Sequence, residues 1–101
     1  MQIQERLLNI LFNAVLSNVR KGRFLIDGIE RDIDIFRTEQ LGNIIRVMFY
    51  LDDYSGAVTQ AALLDSDNAI LVSGNTNFYK QDDGFIYAFD IPIVVEGTVP
   101  E

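Results

Sequence analysis

Beyond Gly22 the chain reads with a period of two, and the gaps between its alternating runs are short. In "GIERDIDIF" (Gly28–Phe36), Ile29, Ile33 and Ile35 alternate with Glu30, Asp32 and Asp34. This is the signature of a strand with one dry face and one wet face. Parallel neighbours need a crossover of about a dozen residues or more, and after Gly22 only Phe36–Ile44 approaches that length. The strands are therefore expected to be mostly antiparallel.

About six strands are predicted by these runs: Arg23–Ile26, Ile29–Phe36, Ile44–Leu51, Ala57–Leu64, Ala69–Tyr79 and Phe85–Val95. Asp27-Gly28 is a two-residue hairpin signal, because both residues tolerate positive φ. In "IIRVMFYL", Ile45, Val47, Phe49 and Leu51 share one face, and Ile44, Arg46, Met48 and Tyr50 share the other. The second face is half apolar, which predicts a central strand covered on both sides. Pro92 has no N–H to give a ladder, so that end of the last strand should lie on an edge or past the pairing. "RTEQLGN" (Arg37–Asn43) reads as a loop or a single helical turn.

Before Gly22 the period is helical. Ile3, Leu7, Leu8, Ile10, Leu11, Ala14, Val15 and Val19 form one broad apolar face over about residues 2–19. Arg20 and Lys21 suit a helix C-terminus, and Gly22 is placed to end the helix in a left-handed conformation. The expected fold class is α+β: an amphipathic N-terminal helix followed by about six strands in a sandwich-like or curled sheet. Residues 1–101 make one domain, with the β region over about 23–95 and a frayed tail at 96–101. Leu8, Phe12 and Leu16 lie at i, i+4 and i+8, beside the row Leu7–Leu11–Val15. That second row calls for a covering surface of its own and marks a candidate partner interface.

Composition narrows the chemistry. The chain has no His and no Cys, which removes a Ser-His-Asp triad, a Cys nucleophile and thiolate zinc sites. Fifteen acidic residues against eight Lys and Arg give a net charge of −7, which argues against the basic stripe that nucleic-acid binding needs. "LLNILFNAVL" (Leu7–Leu16), interrupted by Asn9 and Asn13, falls short of the roughly 20 apolar residues of a membrane span. A soluble, unprocessed chain without membrane insertion is expected.

The acidic breaks are the remaining candidates for chemistry. In "DSDN" (Asp65–Asn68), Asp65 and Asp67 fit the first two oxygen positions of a calcium loop. Ala69, Ile70 and Thr76 then fall where a ligand, a Gly and a Glu are required. "QDDG" (Gln81–Gly84) has the Asp-Gly dipeptide of a tight turn, and Asp52-Asp53 precede "YSG". All three are expected to be turns, with no catalytic, cofactor-binding or metal-ligating residue assigned.

The order of features in "YLDDYSGAVTQAALLDSDNAILVSGNTNFYKQDDGFIYAFDIPIVV" resembles a pattern of small phage tail proteins, of the tail-collar fibre and baseplate-associated kind. A strand leads through a short Gly turn into a strand ending in an Asp-x-Asp break, here Leu64–Asp67. A strand with a small, polar middle follows, then a Lys-Asp-Asp turn (Lys80–Gly84) and a closing amphipathic strand. The resemblance covers roughly the second half of the chain. The first half departs from it, with a helix in place of a β-rich collar start, and there is no repetitive shaft. It implies a non-enzymatic structural or assembly protein of a phage or prophage tail, in the virion or in the bacterial cytoplasm during assembly. Its partners would be itself, as a dimer or trimer, and other tail proteins, and no cofactor is implied. The rival class is a small-ligand (carbohydrate) binding module or a carboxylate-based hydrolase.

Overall fold

The computed structural model of the protein describes residues 4–51, 54–81 and 84–94. Helix α1 (Glu5–Asn18) leads into β1 (Lys21–Ile26), β2 (Ile29–Asp34), β3 (Arg37–Leu41), β4 (Ile44–Leu51), β5 (Gly56–Leu64), β6 (Ile70–Lys80) and β7 (Phe85–Pro92). The strands form a four-stranded sheet, β2-β1-β5-β6, and a three-stranded sheet, β3-β4-β7. Every pairing is antiparallel.

The core lies between the two sheets; its buried residues are mostly aliphatic, and the aromatic pair Phe24 and Phe49 stands among them with Phe78, Tyr87 and Phe89 packed against it. Phe24 on β1 meets Phe49 on β4 edge-on, with centroids 5.5 Å apart, and Tyr87 on β7 at 5.4 Å. Phe89 packs edge-on against Phe49 at 5.7 Å, and Phe78 of β6 stacks on Tyr87 at 5.8 Å. Such pairs contribute about 0.5–1.5 kcal/mol each beyond their area burial. Ile45, Val47, Phe49 and Leu51 are all buried, as the alternation of β4 predicts. The β1–β2 turn is the expected Asp-Gly hairpin, with φ of 51° at Asp27 and 77° at Gly28.

The α+β class does not hold: 61% of the described residues are strand and 16% are helical, so the protein is mostly β. The physical reason is that the helix contributes no buried residue, and the two sheets build the core against each other. A seventh strand accounts for part of the difference. Arg37–Leu41 is β3, paired with β4 through the Gly42-Asn43 turn. As an edge strand with Thr38, Glu39 and Gln40 only half-buried, it needs no alternation of apolar residues.

Gly22 plays a different part from the one its sequence position suggests. The helix ends at Asn18, with an extended Val19 after it, and the Arg20 N–H already donates to the Leu64 carbonyl at 2.8 Å. Gly22 is a buried strand residue opposite Leu63. A Cβ there would stand 2.8 Å from two ring carbons of Phe49 and 2.9 Å from one of Phe24. The missing side chain makes room for the aromatic pair. β4 is central in its sheet, as expected, but its second face is not covered on both sides: Tyr50 there is exposed.

Three substitutions separate these roles by urea unfolding. Phe49→Ala should cost about 3–5 kcal/mol through the cavity it leaves. Gly22→Ala should cost about 1–3 kcal/mol by overpacking the ring. Glu30→Ala, on the wet face of β2, should cost less than about 0.5 kcal/mol. Equal losses at Glu30 and Phe49 would show the assigned faces of these strands to be wrong.

Candidate functional site

Of the acidic turns that are the first candidates for chemistry, the one at Asp65–Asn68 has structural work. Asp65 accepts through one carboxylate oxygen from the N–H groups of Asp67 (2.8 Å) and Ala69 (2.9 Å). Its own N–H donates to the Ala69 carbonyl, and Asn68 takes a positive φ of 63° to close the β5–β6 hairpin. This is the side-chain-to-backbone bonding by which Asp favours turns. Asp27 serves similarly across the sheet. Its carboxylate accepts from the Ala57 N–H at 2.8 Å and packs against Gly56, whose φ of 136° and lack of Cβ permit that approach. Asp52, Asp53, Asp82 and Asp83 lie outside the described residues. Among those described, no group of three acidic residues could hold a metal ion.

The outer faces of the sheets each carry an Arg–Asp clasp between directly opposed residues. On the four-stranded sheet, Arg23 Nε and Nη2 donate to the two carboxylate oxygens of Asp32 at 2.7 and 3.1 Å, and Lys21 Nζ lies 2.9 Å from the same carboxylate. On the three-stranded sheet, Arg46 donates to Asp90 at 2.7 and 3.0 Å. The Arg23 hydrogen bonds, aided by Lys21, hold the Asp32 carboxyl at about 2, below its ordinary 3.8. The Arg46 hydrogen bonds likewise lower that of Asp90. Charges so paired hold strands in register and are not poised for proton transfer.

A basin of about 460 Å³ lies on the outer face of the four-stranded sheet, lined by Arg23, Glu30, Gln60, Ala62, Ser73 and Asn75 among others. Among the described residues that line it, the cation Arg23 is committed to Asp32, and none is aromatic. A sugar-binding face would call for such a ring as a stacking platform. The basin runs out onto the first half of β6, where Ile70, Ser73, Gly74 and Asn75 form its rim.

The unsatisfied surfaces are apolar. Of the residues expected at an interface, Leu8, Phe12 and Leu16 are all half-buried. Phe12 packs against the core from outside, together with Val15. Leu7 and Ile10 are 43% and 55% exposed, so the helix stripe lies open on the side of Leu7 and Ile10 as well. On β6, Ile70, Leu71 and Val72 are 63%, 44% and 36% exposed. Sequence reasoning missed this second surface, because an apolar run looks the same whether or not its strand is covered. No protein-family model matches the chain, and neither curated proteins nor solved structures show a similar one.

Two measurements check these assignments. Asp32 has a lowered carboxyl, so its contribution to stability is complete above about pH 4 and is lost as pH falls from 3.8 through about 2. Thermal unfolding should therefore weaken across that window in the native chain, and less steeply in Asp32→Asn. Equal slopes would remove the Arg23 clasp as a stabilising pair. Millimolar calcium should leave the melting temperature unchanged, whereas a micromolar site would add about 4 kcal/mol at a thousandfold excess. A rise abolished by Asp65→Ala would make the turn a metal loop.

Proposed function

We propose that the protein is a non-enzymatic structural subunit that works by protein–protein contact, as one part of a larger assembly. The observation that carries this reading is the helix. α1 has apolar residues at Leu7, Leu8, Ile10, Leu11, Phe12, Val15 and Leu16, yet none of its residues is buried. An isolated helix of this length is marginal in water and is stabilised mainly by packing its apolar face. Here only Phe12 and Val15 reach the core. Leu7 and Ile10 lie exposed, and Leu8, Leu11 and Leu16 are only half-buried, which is surface of the kind that a partner covers.

The resemblance of the second half to small phage tail proteins supports placing that assembly in a phage or prophage tail. The partners would then be further copies of the chain and other tail proteins. Tail-structural genes on both sides of its own would support this placement, and unrelated neighbours would count against it.

Sedimentation equilibrium across micromolar concentrations tests the contact reading. The native chain should run heavier than a monomer. Leu7→Glu/Ile10→Glu should shift it toward monomer with an unchanged circular dichroism spectrum, because both residues are exposed. Phe12→Glu is the poorer probe, since Phe12 touches the core. A native chain that stays monomeric throughout would overturn self-assembly through the helix.

A further inference from the structure

Two identical sheets join edge to edge most readily where the edges oppose no charge or Pro. Natural edges are guarded by charged side chains, Pro, bulges or short length. Among the described residues, three of the four edge strands are guarded by charge or Pro: β2 has Glu30, Arg31, Asp32 and Asp34, β3 has Arg37 and Glu39, and β7 has Asp90 and Pro92. The fourth, β6, is the longest strand of the fold at 11 residues, and it has no charged residue or Pro from Ile70 to Tyr79. Its pairing with β5 shifts register near each end of the Ala61–Leu63 stretch. Between the two shifts, Val72, Ser73, Gly74 and Asn75 pair regularly with Leu63, Ala62, Ala61 and Gln60. The irregular positions are the guards that β6 does carry, and between them lies a neutral, regularly paired segment in the middle of the edge.

That segment is also bare on both faces. Ile70 belongs to the outer basin, whereas Val72 pairs with the core residue Leu63 and so faces inward. Both are exposed, as is every residue from Ile70 to Asn75.

We propose that β6 pairs antiparallel with β6 of a second copy about a two-fold axis near Ser73–Gly74, joining two four-stranded sheets into one. The proposal rests on the assembly reading above and names its partner. The occupant follows from charge and hydrogen bonding. A chain of net charge −7 repels its own copies over most of its surface, and β6 is the edge at which no like charges would be opposed. A neutral edge offers nothing by which an oppositely charged protein would be selected. An antiparallel strand is complementary to itself, since each outward N–H and C=O meets its counterpart across the axis. Two-fold pairing of identical subunits is the commonest closed assembly. In that arrangement Ile70 and Val72 of each copy lie beside the neutral side chains of the other.

Because the chain has no cysteine, single substitutions report the contact cleanly. Residues directly opposed across an antiparallel pair have Cβ atoms about 4.5–5.5 Å apart, near disulfide reach. Val72, Ser73, Gly74 and Asn75 are replaced one at a time by Cys, with Ser17→Cys on the helix as control. A Cβ at position 74 meets nothing within 4 Å, so that variant introduces no clash. Under mild oxidation, disulfide dimers should form fastest at Ser73→Cys or Gly74→Cys. Val72→Lys should weaken self-association by roughly tenfold or more, with the fold checked by circular dichroism. If Val72→Lys does not fold, the Cys series decides alone. If cross-linking is as fast at position 17 as at 73 and 74, the edge pairing is wrong. If the native chain associates, Leu7→Glu/Ile10→Glu abolishes association, and neither β6 test responds, the pairing is wrong and the assembly reading stands. A native chain that is monomeric at every concentration overturns the edge pairing and self-assembly through the helix together.

Discussion

The ring of Phe49 rests where the side chain of Gly22 would be, and the sandwich is organised around that contact. Because β1 has no Cβ at position 22, a ring from the opposite sheet can come within van der Waals distance of its backbone. Phe24, two residues on, then meets Phe49 and Tyr87 edge-on, and Phe89 closes against both Phe49 and Tyr87. These rings come from β1, β4 and β7, so they bind the two sheets in a fixed relative position. Interiors packed this densely do not deform gradually. What lies beyond the reach of the aromatic contacts is left to be covered by something else.

Two elements lie beyond it. The helix touches the core through Phe12 and Val15 only, and the first half of β6 is exposed along its whole length. Each is apolar, and each is continuous with a rigid part of the fold: the helix runs directly into β1, and β6 is paired to β5. Rigid apolar surface suits assembly, since little conformational entropy is lost when it is covered. The acidic residues of the described chain behave in the opposite way. Asp27 and Asp65 turn their carboxylates onto backbone N–H groups, and Asp32 and Asp90 are clasped by arginines. Carboxylates held like this stabilise turns and strand register.

Much of the interior was legible in the residues because strand periodicity follows directly from backbone geometry. The buried face of β4, the Asp27-Gly28 hairpin and the turn at Asp65–Asn68 can all be read from alternation and turn chemistry. β3 could not be, since "RTEQL" lacks the alternation of a strand and gains its place by pairing with β4. Gly22 misled for a related reason. A glycine after an amphipathic helix is the usual helix stop, but the bond from Arg20 to Leu64 begins the sheet before the helix can reach it. The candidate interface was legible in part: the sequence marks an apolar stripe on the helix, but which of its rows meets the core depends on where the sheets lie.

By itself, then, the sequence determined that the strands pair antiparallel, which face of β4 is buried and the lack of histidine and cysteine chemistry. These depend on local geometry, connection length and residue inventory, which no tertiary contact can alter. Only the tertiary structure decided that the helix stays outside the core, that Gly22 is a packing residue and that β6 is an uncovered edge. Each of those is a question of what stands opposite a residue in space. The same apolar run "AILV" would be core in a central strand and is surface here, because among the described residues β5 is its sole neighbour in the sheet.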